Sequence, residues 1–396
     1  MSAPTDLLPL SCPFPPDLPV GADALGHSHR LVELICAEIA RFGGWIGFDR
    51  YMQLALYAPG LGYYSGGATK LGGAGDFVTA PELSPLFGQT LARQVAEILS
   101  VTGGDVLELG AGSGRMAAQM LQALAEDGAI PARYLILEVS GELAARQKQR
   151  LNSLAPRLAS RVEWIERAPT AFRGVVVCNE VLDALPTHLI LWSESGICER
   201  GVAWSGDALI WNDRPLTEPS LLALARRLNP LAPYLSEVGR IGPALVGALA
   251  SALERGALLL IDYGFGEREY YHPQRNRGTL MCHFRHRAHD DPFYLPGLQD
   301  ISSHVDFSAV AQAGSNAGLE LMGYTTQAHF LINLGITERM ARTPAADTMA
   351  YLPLAAQAQK LLGPAEMGEL FKVLALGRGV GRALEGFRSG EMSRLL

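Results

Sequence analysis

The sequence predicts an α/β protein built on a doubly wound, mostly parallel sheet. Strand-like and helix-like segments alternate from residue 105 onward, the order that makes helices cover both faces of a parallel sheet. The run ALLLIDYG at 257–264 is almost continuously apolar, as a strand buried on both faces must be. Three glycines, Gly110, Gly112 and Gly114, stand directly between a strand and a helix. Ligands on such sheets bind at the carboxyl ends of the strands.

In chain order, a proline-rich tail occupies 1–27, and apolar spacing over 28–42 predicts a first helix. FDRYMQLALY predicts a second, with Asp49 as its N-cap. Around it runs a long glycine-rich stretch, and a helix over 85–100 follows. Then come DVLELG (strand), RMAAQMLQALAEDG (helix), YLILEV (strand), GELAARQKQRLNSL (helix) and the strands VEWIE and GVVVCN. HLILWSE, ICERGVAW and ALIW suggest an antiparallel insertion over 187–211. The helix ALVGALASALERG leads into ALLLIDYG; FSAVAQAGSNAG is helical, and LELMGYTT and FKVLALG are strands. The implied division is a tail at 1–27, a helical and lid region at 28–100, a main domain at 101–380 and a tail at 381–396. The main domain carries insertions around 187–255 and 264–304.

Bulk properties remove several classes of function. A net charge of -7 and a pI near 5.8 argue against duplex nucleic acid, which needs a basic footprint. The five cysteines are odd in number and never in C-x-x-C pairs, so neither a disulfide framework nor a zinc ribbon is predicted. No long uncharged apolar stretch suggests a membrane span. The N-terminal residues resemble neither a secretory signal nor a mitochondrial presequence; a cytoplasmic protein is expected.

The chemistry lies in VLELGAGSGRM. Glycines there let a ligand approach the backbone at the strand end. A dinucleotide fingerprint, G-x-G-x-x-G with an acid about 20 residues later, fits poorly: Arg115 occupies its third glycine position and Ile130 the acid's. The form acid-x-G-x-G-x-G, used for S-adenosylmethionine, fits without adjustment. Glu108 is then the acid near the cofactor's amino-acid end. Glu138, with Val139 at the tip of the next strand, is placed to accept from two ribose hydroxyls. A bare strand-to-helix turn is the alternative.

With these residues in view, the chain resembles one family closely. GAGDFVTAPELSPLFGQTLARQ, LELGAGSGRMA, NEVLDALP, LLIDYG, RGTLMCHFRHRAHDDPF and DISSHVDFSAV are similar to blocks of the MidA family, in family order, over about 28–380. The resemblance implies a seven-stranded class I methyltransferase (Rossmann-like) doubly wound sheet. To this are added an N-terminal helical and loop extension and β-rich and helical insertions. It also implies S-adenosylmethionine as cofactor and a protein arginine as target. The family's known target is the 49 kDa-type subunit of respiratory complex I.

Other groups carry two readings each. Asn179 and Glu180 end a strand, with Asp183 three residues on. On one helical turn the two acids would project together and hold a guanidinium fork; a helix cap is the alternative. Asp76, Thr79 and Glu82 lie in GDFVTAPE, a lid over the cofactor or an ordered surface loop. Asp262 ends a strand where it would accept from substrate, unless it only makes a turn. His304 and Asp306 face the active site in the family reading; a core histidine and an N-cap are the alternatives. Cys282, His283, His286 and His289 do not have zinc spacing, so a polar substrate loop, and no metal, is expected. A small-molecule methyltransferase and a cofactor-binding assembly chaperone remain as competing functions.

Overall fold

The computed structural model describes residues 20–66 and 78–396. They form two compact units, each assembled from three stretches of chain.

The larger unit comprises 78–182, 242–267 and 305–396. Its strands are β1 (Asp105–Leu109), β2 (Tyr134–Leu137), β3 (Val162–Ile165), β4 (Phe172–Asn179), β5 (Leu253–Phe265), β6 (Glu320–Thr326) and β7 (Phe371–Arg378). They lie in the order β6-β7-β5-β4-β1-β2-β3, and a short strand, Val305–Asp306, adds to β5. The pairs from β5 to β3 are parallel; β7 runs antiparallel to both its neighbours. The expected seven-stranded doubly wound sheet is therefore present. Ser84 caps helix α1 (Pro85–Thr102), accepting from Leu86 N–H. Ser140 likewise caps α3 (Gly141–Leu154), and between them stands α2 (Arg115–Glu126). Leu91, Val95, Met120, Ile136, Val177 and Leu259 belong to one continuous core, the burial that drives sheet and helices together.

The described residues of the other unit are 20–66, 183–241 and 268–304. An antiparallel sheet runs Ile46–Gly47, Gly196–Trp204, Thr187–Ser193, Tyr234–Gly239, with Leu209–Pro215 beside Gly196–Trp204. A second sheet pairs Met281–Phe284 with Arg287–His289 and Asp300–Ser302. The helices Ala22–Arg41 and Phe48–Tyr57 contribute Ile35, Ile39, Phe48 and Tyr51 to its core.

Several boundaries differ from expectation. Residues 78–100 belong with the main sheet, whereas 28–66 and the β-rich insertions build the separate unit. Hydrophobic contacts between distant stretches decide such groupings, and the order of segments does not reveal them. The final residues are not a loose tail: Leu384 and Phe387 are buried in the larger unit's core. The predicted end of the helix ALVGALASALERG is already strand, because β5 begins at Leu253. Gly47, not Asp49, occupies the N-cap of Phe48–Tyr57.

Candidate active site

The loop after β1 is made of left-handed backbone: φ is 65° at Gly110, 53° at Gly112 and 80° at Gly114. Other residues adopt such angles with strain. At Gly110 a Cβ would also lie 2.7 Å from Val181 Cγ2. Gly114 is the N-cap of α2, so the loop ends at a helix N-terminus.

Beside it, β2 delivers Glu138. Its Oε1 accepts from Ser140 N–H at 2.9 Å and its Oε2 from Gln147 Nε2 at 3.0 Å. The carboxylate is half-buried, and Val139 next to it is 81% exposed.

At the end of β4, Asn179 is buried and donates from Nδ2 to Glu180 Oε1 at 3.1 Å. Its Oδ1 has no hydrogen-bond partner among the described residues. A buried acceptor in that state costs stability unless something supplies a donor, so the strand end is built for a polar ligand. Glu180 Oε1 also accepts from Ala80 N–H at 3.3 Å.

Asp262, wholly buried on β5, accepts from Val181 and Leu182 N–H through Oδ2 and from Tyr263 N–H through Oδ1. Glu108 is wholly buried on β1 and accepts from Tyr134 Oη at 2.5 Å. Burial pushes its carboxyl up to about 7 against the lowering effect of that bond.

A family model of S-adenosyl-L-methionine-dependent methyltransferases matches residues 90–325. The chain belongs to this methyltransferase family. Among solved structures, a COG1565 superfamily member from Burkholderia thailandensis bound to S-adenosyl-homocysteine shares 51% identity and a TM-score of 0.93. It covers 96% of this chain and 100% of that one. A native crystal structure of a Burkholderia thailandensis COG1565 superfamily protein gives 50% and 0.91, with the same coverage. Among curated proteins, the mitochondrial protein arginine methyltransferase NDUFAF7 of Danio rerio is 27% identical over 365 residues, 84% of this chain and 83% of that protein. The Drosophila melanogaster homologue is 28% identical over 393 residues, 90% and 86%. The MidA resemblance is borne out, and with it the class I fold and S-adenosylmethionine as cofactor.

In this methyltransferase, Gly110, Gly112, Gly114, Glu138, Val139 and Asn179 come together at adjacent strand ends, as cradle, acceptor, exposed apolar surface and buried acceptor. Thr79 is half-buried at the N-cap of the short helix Ala80–Leu83. Asp76 lies outside the described residues. Glu108 departs from expectation: its carboxyl turns inward to Tyr134, because alternation along β1 points it into the layer that holds Val106 and Ile136.

The substrate-side expectations change more. No helix follows β4, and Glu180 has φ 52°, so the helical-turn argument for projecting Glu180 and Asp183 together fails, as does the cap alternative. Asp183 is buried in the smaller unit, where its carbonyl accepts from Ser303 N–H. Asp262 is wholly buried, and three backbone N–H groups bond to its oxygens, as a turn-making acid would have them. Asp306 Oδ1 accepts from Ser308 and Ala309 N–H and caps Phe307–Asn316, so the cap reading accounts for it. His304, half-buried in the smaller unit, donates its backbone N–H to Thr279 Oγ1 at 3.0 Å. Cys282 stands opposite His289 in a hairpin whose turn holds His286. His283 points to the other face, so the four do not converge.

Sequence reading missed Gln147. Glu82, grouped with Asp76 and Thr79 in GDFVTAPE, accepts through its carboxylate from Ser113 Oγ and pairs with Arg115 Nε at 3.3 Å. Glu82 thereby ties the Ala80–Leu83 helix to the glycine loop.

Proposed function

We propose that the enzyme methylates an arginine side chain of a protein substrate. What carries this reading is similarity, along most of both chains, to relatives named protein arginine methyltransferases. The partner we infer is the 49 kDa-type subunit of respiratory complex I, as the MidA resemblance implies, met in a bacterial cytoplasm. Among the described residues no helix is long and apolar enough to cross a membrane.

S-adenosylmethionine supplies a methyl group already activated toward nucleophiles. The chain's task is therefore to orient and to exclude water. Orientation supplies about 7–11 kcal/mol, whereas a positioned base gives about 10²–10⁴-fold, so positioning dominates. Gly110, Gly112 and Gly114 would admit the cofactor to the backbone, Glu138 would accept its ribose hydroxyls, and Val139 would lie against its base. Asn179 Oδ1 would accept from its amino-acid end, with Thr79 at the rim. A guanidinium has a pKa above 12 and keeps its proton until late. Glu180 is the carboxylate we assign to hold its fork.

The test is transfer of radiolabelled methyl into lysate from a strain lacking the protein, followed by mass spectrometry of the labelled band. Label on an arginine supports the proposal. Label on a small molecule would replace it, and S-adenosylhomocysteine binding without transfer would make the protein a cofactor-binding chaperone.

A further inference from the structure

Gln147 is wholly buried on α3, and both ends of its carboxamide are engaged. Oε1 accepts from Trp164 Nε1 of β3 at 2.8 Å. Nε2 donates to Gly112 O at 3.0 Å and to Glu138 Oε2 at 3.0 Å. An indole N–H can only donate, so Trp164 decides which end of the amide faces it. Turned around, the amide would set N–H against N–H, and its oxygen against a carbonyl and a carboxylate. With the other Glu138 oxygen held by Ser140 N–H, the carboxylate is fixed at both ends, yet each oxygen keeps acceptor capacity.

We propose that Gln147 is a positioning residue of the cofactor site, with Trp164 selecting its orientation. It joins the glycine loop after β1 to the acid after β2, so the peptide at Gly112 and the carboxylate at Glu138 are set relative to one another before the cofactor arrives. Such preorganisation raises affinity by removing an ordering cost from the binding step. The Glu138 half of this inference rests on the reading of Glu138 as the ribose acceptor; the Gly112 half does not.

The experiment measures S-adenosylhomocysteine affinity by calorimetry in the full-length protein carrying Gln147→Leu, Gln147→Glu, Trp164→Phe, Glu138→Ala or Glu138→Ala with Gln147→Leu. Thermal melting of each variant serves as the folding check. Gln147→Leu loses two donors, one to a charged group, and weakens binding about tenfold. Gln147→Glu is isosteric but sets a second carboxylate against Glu138; it weakens binding about a hundredfold and recovers toward the Leu variant as pH falls and the new acid protonates. Trp164→Phe, which frees the amide to turn, weakens binding about threefold. The Glu138→Ala and Gln147→Leu effects together fall short of their product.

The protein has five tryptophans, and the indole NMR cross-peak missing in Trp164→Phe identifies Trp164. That peak shifts on adding S-adenosylhomocysteine to the wild type and stays still in Gln147→Leu at saturating ligand. Wild-type affinity in both folded Gln147 variants overturns the proposal while leaving Glu138 in place. Unchanged affinity in Glu138→Ala overturns the ribose reading, and Gln147→Leu then weakens binding only through Gly112. If neither Gln147 variant folds, wild-type affinity in Trp164→Phe together with an unmoved wild-type indole peak overturns the proposal.

Discussion

Asp262 sits beneath the bend after β4 and accepts Leu182 N–H at 2.9 Å, although the two residues are 80 positions apart in sequence. Its other bonds, to Val181 and Tyr263 N–H, make one carboxylate the support of the bend that carries Glu180. Across the β5–β7 ladder it faces Lys372. Replacing Asp262 by Ala leaves buried N–H groups unsatisfied and should cost about 2–4 kcal/mol. Asp262→Asn keeps one oxygen and should lose less. Urea titration of both variants checks this, and equal stability in wild type and Ala would mean the bend holds without the carboxylate.

Gly112→Val should abolish binding of S-adenosylhomocysteine while the protein still melts cooperatively. At φ 53° a β-branched residue strains the loop, and its side chain would fill the approach a ligand needs. Calorimetry on the folded variant is the measurement; normal binding would reduce the glycine loop to a turn.

Glu180→Gln should spare cofactor affinity and depress methyl transfer on the order of 10²-fold. The amide keeps an oxygen for Ala80 and Asn179 and loses only charge. Single-turnover transfer at saturating cofactor on the identified partner decides it. A near-normal rate would mean that Glu180 does not hold the substrate.

Glu108 predicts a pH dependence. Burial raises its pKa to about 7 in the folded state, while in the unfolded chain it titrates near 4.3. The folded state therefore binds the proton more tightly, and stability falls as pH rises from that lower value through 7. Above pH 7 the ionised form costs about 4 kcal/mol. Glu108→Gln mimics the protonated acid, so its stability relative to wild type should rise between pH 5 and 8. A flat difference across that range would mean that Glu108 stays ionised.

Much of the larger unit was readable because its signals are local. The apolar run of β5, the glycines after β1 and the acid ending β2 each declare themselves within a few residues. Glu180 shows the limit. Spacing alone put it on a helix with Asp183, whereas support from β5 turns the chain through a left-handed residue there.

By itself, the sequence determined the strand and helix alternation, the glycine cradle and the acidic residues at the strand ends, because backbone preference and side-chain period act over neighbouring positions. Only the tertiary structure decided which way those acids face and what holds them. Glu108 turns to Tyr134, Asp262 serves backbone N–H groups, and Gln147 joins Gly112 to Glu138. These outcomes depend on buried polar groups finding partners tens of residues away, and such partners are chosen by how strands and helices pack.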